Sequence, residues 1–256
     1  MRSERVTFRN RRGIELSGIL DLPEAGSPAH FAVFAHCFTC SKDFKLAVNV
    51  DRELVDRGIA VLRFDFTGLG QSGGDFSDTT FTTNAEDIAS AADYLSNLYK
   101  PPKLLVGHSL GGAAALYAAS SVRSSSAVAT IATPSEPRHL KEYLGIDADA
   151  FASKERIELK VAGRSFAIGK EFVQDLERVN MAERIRDLGR ALLVLHAPGD
   201  TVVGMDNADY IFEHAHHPKS FISLDGADHL LLDEADARYV GSLIAVWSLR
   251  YLSRRD

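Results

Sequence analysis

Several features that mark particular classes of protein are scarce or missing in this sequence. Its 256 residues include only two cysteines, which excludes the framework of disulfides that staples small secreted domains. No apolar run approaches the ~18 residues of a membrane-spanning helix, and the charged N-terminus lacks the apolar core of a signal peptide. The net charge is −6 and no block of basic residues stands out, so a nucleic-acid surface is not favoured. These absences predict a soluble cytoplasmic protein without a nucleic-acid or membrane partner.

The chain does contain a regular alternation of strand and helix patterns. Apolar runs typical of strands buried on both faces are separated by segments whose apolar residues recur at helical spacing. This alternation predicts an α/β fold with a doubly wound, mostly parallel sheet. Two further strand patterns, joined by a turn, predict an antiparallel hairpin at the N-terminus. The hairpin strands are expected at residues 5–10 and 14–22, the main strands at residues 30–36, 59–66, 104–106, 127–132, 191–196 and 220–224, and the main helices at residues 44–57, 83–99 and 240–252.

Residues 135–189, between two of the main strands, interrupt the alternation. They contain helical patches and one hairpin-like piece at residues 157–168. An insertion on the side where parallel strands end would overhang the functional edge of the sheet. We therefore expect residues 135–189 to form a small cap or lid within a single domain of residues 1–256. That length, with 45% apolar residues, is enough for one large domain with a substantial core.

The most informative motif is a G-x-S-x-G pattern centred on Ser109. An apolar run precedes it and an alanine-rich segment of high helix propensity follows it, which is the strand-turn-helix context that gives the pattern meaning. A serine at the tip of so sharp a turn has neighbours packed closely around it, so Gly107 and Gly111 must lack side chains. The turn also places Ser109 at a helix N-terminus, which favours a developing negative charge. The alternative is a helix that simply begins with a serine cap.

A serine nucleophile needs a base, and the base needs an orienting acid. Asp200 follows the predicted strand at residues 191–196, and His229 follows the predicted strand at residues 220–224. Functional side chains gather at the carboxyl ends of parallel strands, and the order Ser109, Asp200, His229 is the order of an α/β-hydrolase triad. Asp200 could instead be a turn former, since Pro-Gly-Asp is turn chemistry. The rival acids are Glu136, Asp206, Asp225, Asp228 and Asp233; we predict Asp200.

Two backbone donors are needed to hold the oxyanion of an acyl-transfer reaction. One is expected from the N–H of Leu110, directly after the nucleophile. The other is expected from the loop at residues 36–40, where Phe38 is the first choice and Cys37 the second.

The same loop contains a C-x-x-C pattern formed by Cys37 and Cys40. Such a pair can be redox-active or form half of a metal site, but no second pair of ligands follows nearby. Small cysteines packed under a tight loop are the favoured interpretation, and a redox role stays open. The glycine-rich residues 68–74 lack the G-K-[ST] ending of a phosphate-binding loop, which favours a structural turn. No metal or cofactor is predicted.

Four segments of the chain, taken together, resemble a known family. Residues 35–43, 63–70, 107–112 and 223–229 are similar to those of α/β-hydrolases of the bacterial serine-esterase type, in particular the hydrolase domain that many bacteria carry fused to an OsmC-like domain. The resemblance extends over essentially the whole chain and implies Ser109, Asp200 and His229 as the triad. Because the chain ends at Asp256 after one helix, we expect the OsmC-like part to be absent, which leaves coupling to peroxide chemistry, or to a partner in trans, open.

Motif, order and resemblance together predict a carboxylic ester hydrolase. The expected partner is a small-molecule ester, and the protein is expected to be a monomer or homodimer. Apolar residues of the insertion favour small to medium acyl groups (Leu140, Tyr143, Leu144, Phe151, Phe166 and Phe172). The alternatives are a thioesterase, an acyltransferase or a cofactor-free perhydrolase with the same triad, and a non-catalytic ligand-binding member of the fold. An intact triad argues against the last of these.

Overall fold

The fold is built around an eight-stranded sheet, seen in a computed structural model that describes residues 1–161 and 163–253. In chain order the strands are β1 (Arg2–Arg9), β2 (Glu15–Leu22), β3 (His30–Ala35), β4 (Ile59–Phe64), β5 (Leu104–His108), β6 (Ala127–Ile131), β7 (Arg156–Val161), β8 (Arg164–Gly169), β9 (Ala191–His196) and β10 (Lys219–Ser223). The spatial order of the main sheet is β1-β2-β4-β3-β5-β6-β9-β10, and β7 and β8 form a separate pair. Within the main sheet, neighbouring strands of the series β4-β3-β5-β6-β9-β10 pair in parallel, whereas β2 pairs antiparallel with both β1 and β4. The predicted fold class and N-terminal hairpin are confirmed.

Helices cover both faces of the sheet. They are α1 (Lys45–Val55), α2 (Phe81–Leu98), α3 (Leu110–Ala118), α4 (His139–Tyr143), α5 (Lys170–Arg178), α6 (Met181–Arg186), α7 (Met205–His214) and α8 (Glu234–Leu252). The apolar residues of α1 and α8 pack in one core cluster, and those of α2, α3, α5, α6 and α7 pack in the other. Strand β3 shows why the strands are apolar throughout: Val33 faces one core and Phe34 faces the other.

Helix boundaries differ from the predicted ones by a few residues, and at α2 and α8 a capping side chain stands where the helix begins. Helix α2 begins at Phe81, after Thr80, whose hydroxyl accepts a hydrogen bond from the Thr83 N–H while the Thr83 side chain bonds back. The closing helix α8 begins six residues before the predicted start, where the Asp233 carboxylate accepts from the N–H of Ala235. Apolar periodicity alone misses these polar first turns.

The segment between β6 and β9 contains α4, β7, β8, α5 and α6. The hairpin predicted at residues 157–168 corresponds to β7 and β8, which pair antiparallel with Ile157 opposite Ile168. Residue 162, in the predicted hairpin, lies outside the described residues. The single-domain organisation of residues 1–256 and the role of residues 135–189 as a cap stay predictions.

A search of the described residues for a helix long and apolar enough to cross a bilayer finds none.

Candidate active site

Ser109 lies at the turn between β5 and α3 with a strained backbone. Its φ of 54° and ψ of −127° are rarely adopted by a residue with a side chain, and its N–H donates to the carbonyl of Ile131 at 2.8 Å. A Cβ on Gly107 would lie 2.4 Å from the Gly111 oxygen, and a Cβ on Gly111 would lie 2.3 Å from the His36 oxygen. Glycine is therefore required at both positions, for the steric reason that the sequence indicates.

The three residues predicted as a triad lie within hydrogen-bonding distance of one another. The Nε2 atom of His229 is 3.1 Å from the Oγ atom of Ser109, and its Nδ1 atom is 2.7 Å from Oδ2 of Asp200. His229 and Asp200 are both buried, whereas Ser109 is half-exposed. The three side chains come from the carboxyl ends of β5, β9 and β10, where the sheet brings successive loops together. The arrangement can pass a proton from Ser109 to His229 while a carboxylate holds the imidazole.

The Asp200 carboxylate is stabilised in its charged form. Burial alone would raise the pKa of Asp200, but hydrogen bonds from His229 and from the backbone N–H groups of Val203 and Val202 outweigh it and lower the pKa below its usual value. The two backbone bonds reach Oδ1, at 2.8 Å from Val202 and 2.9 Å from Val203. Oδ2 is thereby directed to His229, and the Pro-Gly-Asp turn serves to orient the acid.

The rival acids all have other hydrogen-bond partners. Glu136 accepts from the N–H of Met181 at 3.4 Å, Asp206 bonds the Asn207 amide, Asp225 accepts from Ser223, Asp228 accepts from Leu230 and Leu232, and Asp233 caps α8. Among the described hydrogen bonds, the partners of the His229 ring are Asp200, which accepts from Nδ1, and the Ser109 hydroxyl at Nε2.

The loop after β3 lies beside the turn that carries Ser109. The described backbone hydrogen bonds include neither the N–H of Phe38 nor that of Leu110, the two donors predicted for the oxyanion. Thr39, which follows Phe38, adopts a positive φ of 61°. The loop therefore has a fixed, unusual shape next to the serine.

The structure corrects the prediction for the two cysteines. Cys37 and Cys40 are joined by a disulfide, with their Cα atoms 5.4 Å apart, whereas packed small thiols were expected. The turn through Thr39, closed by a hydrogen bond from the Cys40 N–H to the Cys37 carbonyl at 3.2 Å, brings the two side chains into the range for bridging. The C-x-x-C spacing permits such a bridge but does not by itself require it. The bridge is local, so the absence of a wider disulfide framework stands.

Three buried histidines support the catalytic loops, and sequence reasoning missed them. Each lies at or just after the end of a parallel strand and donates one ring N–H to a loop carbonyl at 2.8 Å: His36 to Cys37, His108 to His229, and His196 to Val203. Desolvation lowers the pKa of His36, and desolvation together with the neighbouring His229 lowers the pKa of His108 to about 3. At neutral pH both rings are uncharged. Their signal in the sequence is a histidine at the end of an apolar strand.

A buried ion pair fixes the far side of the loop after β3. The Lys42 ammonium lies 2.5 Å from Oδ2 of Asp65, and the Lys42 N–H donates to Oδ1 of the same carboxylate at 2.7 Å. Arg63 of β4 donates to the Lys42 carbonyl and also faces Asp21 and Asp51. Sequence reasoning missed this network as well; its signal is an arginine inside an otherwise apolar strand.

Aromatic rings connect the insertion to the same loop. Phe38 lies 5.5 Å from Phe76 and 5.9 Å from Phe172, and Phe76 lies 6.5 Å from Phe166 between ring centroids. Behind these rings, a narrow cavity of about 10 Å³ lies between Phe38, Phe76 and Leu110. Of the apolar insertion residues singled out from the sequence, Phe166 and Phe172 belong to this cluster, whereas Tyr143 is exposed.

The comparison with protein families agrees with this geometry. The profile described as "Alpha/beta hydrolase family" matches residues 32–241, a span that contains the serine turn, the acid and the histidine. The chain belongs to this family. Among solved structures of α/β-hydrolases and related chains, the esterase domain of a Rhodothermus marinus protein is 44% identical, covers 99% of this chain and 100% of that chain, and superposes with a TM-score of 0.82.

Other matches are more distant. Est1E from Butyrivibrio proteoclasticus, solved with ferulic acid, is 20% identical with a TM-score of 0.84 over 97% of this chain and 100% of that chain, which shows the fold alone. GPI inositol-deacylase of Aspergillus fumigatus is 31% identical over 58% of this chain and 14% of its own length. The mitochondrial palmitoyl-protein thioesterase ABHD10 of Mus musculus is 37% identical over 28% of this chain and 24% of its own length. These matches thus span less than a quarter of either curated relative.

Proposed function

We propose that this α/β-hydrolase is a serine esterase that cleaves carboxylic esters of small to medium acyl groups through Ser109, His229 and Asp200. The observation that carries the proposal is the position of the His229 ring, 3.1 Å from the Ser109 hydroxyl and 2.7 Å from Asp200. Membership of the family and the 44% identical esterase domain support hydrolase activity. The specific roles below rest on the geometry.

In the proposed reaction His229 Nε2 accepts the Ser109 proton as the serine oxygen attacks the ester carbonyl. The N–H groups of Leu110 and Phe38 stabilise the negative charge that develops on the carbonyl oxygen, and Asp200 stabilises the charged imidazole. His229 then protonates the leaving alcohol. A water molecule, deprotonated by His229, hydrolyses the acyl-enzyme and releases the acid. Because the Asp200 pKa is held low, this acid remains ionised while His229 carries the proton.

The preference for shorter acyl groups rests on the narrow cavity beside the oxyanion residues. A free volume of about 10 Å³ corresponds to a single water molecule, and the aromatic walls that limit it include the buried Phe76 and the half-buried Phe38. A long acyl chain would have to displace these rings. Thioester hydrolysis is the second candidate, because a palmitoyl-protein thioesterase is among the relatives and the same triad would serve it.

Hydrolysis of chromogenic esters of increasing acyl length tests the proposal. We expect activity that is greatest for short acyl groups and is lost in Ser109→Ala, with Ser120→Ala, an exposed serine at the end of the same helix, as the matched control. A fluorophosphonate probe should label Ser109 in the wild type. If wild type and Ser109→Ala hydrolyse every ester equally slowly, the esterase proposal is wrong, and parallel assays with acyl thioesters then decide the second candidate.

A further inference from the structure

The Cys37–Cys40 disulfide encloses the residue proposed as an oxyanion donor. The bridge spans Phe38 and Thr39, so its ring contains the Phe38 N–H. The two cysteines differ in exposure: Cys37 is buried at 5% exposure and Cys40 is half-buried. The more exposed residue, Cys40, is therefore the expected side of approach for an attacking thiol.

The bridge is one of the constraints on the conformation of the loop. Thr39 adopts a φ of 61°, which is unfavourable for a residue with a branched side chain and persists only where the surroundings impose it. Both ends of the loop are held independently, by the His36 bond to the Cys37 carbonyl and by the Lys42 N–H bond to Asp65. Between these anchors the disulfide, the Cys40 N–H bond to the Cys37 carbonyl and the contacts of the Phe38 ring with Phe76 and Phe172 constrain the loop.

We propose that Cys37 and Cys40 form a thiol–disulfide exchange site whose partner is a dithiol reductant, and that reduction lowers turnover at Ser109. A thiolate of the reductant attacks the Cys40 sulfur; the S–S bond breaks, and Cys37 leaves as a thiolate that takes a proton from solvent. The second thiolate of the reductant then attacks the first sulfur of the reductant, which is bonded to Cys40 in the mixed disulfide. This step forms the reductant's own disulfide and releases the Cys40 thiolate. Two electrons pass from the dithiol to the protein, and a disulfide oxidant reverses the exchange.

The consequence for turnover rests on the proposed function. Without the bridge, Thr39 can return to negative φ and the Phe38 N–H leaves its position at the oxyanion. Loss of one such donor costs about 10²–10³-fold in kcat in well-studied enzymes, and a displaced donor retains part of its effect. We expect kcat to fall at least about tenfold on reduction, with a smaller change in KM because the donor acts mainly on the transition state.

Equilibration with dithiothreitol at graded ratios of its reduced and oxidised forms tests the proposal on the native wild-type protein. Each sample is divided: one part is quenched, alkylated and analysed by peptide mass spectrometry, and the other is assayed with a short-chain ester. We expect the two thiols to appear together and kcat to fall along the same curve. Free thiols in the untreated protein, a bridge that resists excess dithiol in the folded protein, or reduction without a change in kcat would each overturn the proposal.

Single-cysteine variants test which sulfur is attacked. Cys37→Ser, which keeps Cys40, should form a mixed disulfide with oxidised glutathione, whereas Cys40→Ser, which keeps the buried Cys37, should not; the opposite result contradicts the assignment. The variant with both substitutions should give the same kcat with and without reductant. If neither redox form hydrolyses any ester, the proposed function fails, while the thiol measurements still decide the exchange site.

Discussion

Asp200 differs from the carboxylates that are close to His229 in the sequence because it accepts the hydrogen bond from His229 Nδ1. Asp228 is adjacent to His229 in the chain, yet its oxygens accept from the backbone N–H groups of Leu230 and Leu232. Sequence proximity does not direct a carboxylate toward a ring nitrogen, because the loop geometry decides which side chain faces the imidazole. The two residues therefore form a matched pair for mutation.

We predict that Asp200→Asn lowers kcat by about 10⁴-fold, because an amide in place of the carboxylate favours the wrong tautomer of His229 and leaves the imidazolium without its counter-charge. Asp228→Asn should change kcat less than about threefold, since its contacts are to backbone groups of its own turn. Steady-state kinetics with a short-chain ester make the comparison. Equal losses in the two variants would show that Asp200 is not the orienting acid.

The His108 side chain contacts the backbone of His229, the proposed base. Its Nε2–H donates to the His229 carbonyl at 2.8 Å, and its ring lies 5.1 Å from the His229 ring. We predict that His108→Leu lowers kcat about tenfold, since a small displacement of a catalytic group is costly. His108→Gln, whose amide can donate to the same carbonyl, should restore most of the loss. If both variants are equally slow at matched thermal stability, His108 does not position His229 through this bond.

Among the secondary-structure elements, the sequence predicts the apolar strands and the serine turn, because apolar periodicity and required glycines mark them. The strands β3, β5 and β9 are almost entirely apolar because both faces are covered, and the serine turn is marked by two glycines that the packing requires. These features are local, so one sequence reveals them. The proposed triad can be predicted because each member lies within six residues after the end of a recognisable strand.

What the sequence does not reveal depends on contacts between distant residues. The bond from His108 to His229 spans 121 positions and that from Arg63 to Asp21 spans 42, so no local pattern marks either pair. The cysteine pair was misjudged for a different reason: the spacing permits both a bridge and two thiols, and the positive φ of Thr39 that favours the bridge has no signature in the residue types. Burial of the histidine rings is likewise a property of the assembled loops.

The contact between the loop after β3 and the aromatic rings leads to a prediction about the preferred length of the acyl chain. Phe76, from the 3₁₀ turn Phe76–Asp78, lies next to Phe38 and Phe172 and lines the narrow cavity. We predict that Phe76→Ala enlarges this cavity and moves the preferred acyl chain to a greater length, while lowering stability by about 3–5 kcal/mol. Chromogenic esters of graded length measure the shift.

Phe212→Ala is the control for this experiment, because Phe212 packs against Phe221 and belongs to α7 rather than to the aromatic cluster. It should lower stability without changing the length profile. An unchanged profile in a folded Phe76→Ala variant would show that the cavity does not receive the acyl group.

For the whole molecule, the buried Arg63 network sets part of the dependence of stability on pH. Burial raises the pKa of Asp51 well above its usual value; Arg63 opposes this and Asp21 adds to it. Because the pKa of Asp51 is raised in the folded state, the folded protein binds more protons than the unfolded chain above about pH 4. The free energy of unfolding therefore falls as the pH rises from there through the folded-state pKa of Asp51.

We therefore predict that Asp51→Asn raises the free energy of unfolding at pH 8 by on the order of 1 kcal/mol and leaves it nearly unchanged at pH 4. Asp43→Asn, which removes an exposed carboxylate from the same arginine, should have little effect at either pH. Denaturant unfolding at both pH values measures the difference. A loss of stability at pH 8 in Asp51→Asn alone would indicate that Asp51 is ionised and that its attraction to Arg63 stabilises the fold.

Through the ring contacts of Phe166 and Phe172, two different parts of the chain meet beside the loop after β3. The residues proposed to react lie in loops that follow strands of the sheet, whereas part of the aromatic wall around the loop after β3 comes from the segment between β6 and β9. If the proposed function holds, we expect mutations in that segment to change ligand selectivity without disturbing proton transfer. Divergence among relatives should therefore accumulate there first, and a combinatorial library confined to the insertion is the economical way to retarget the enzyme.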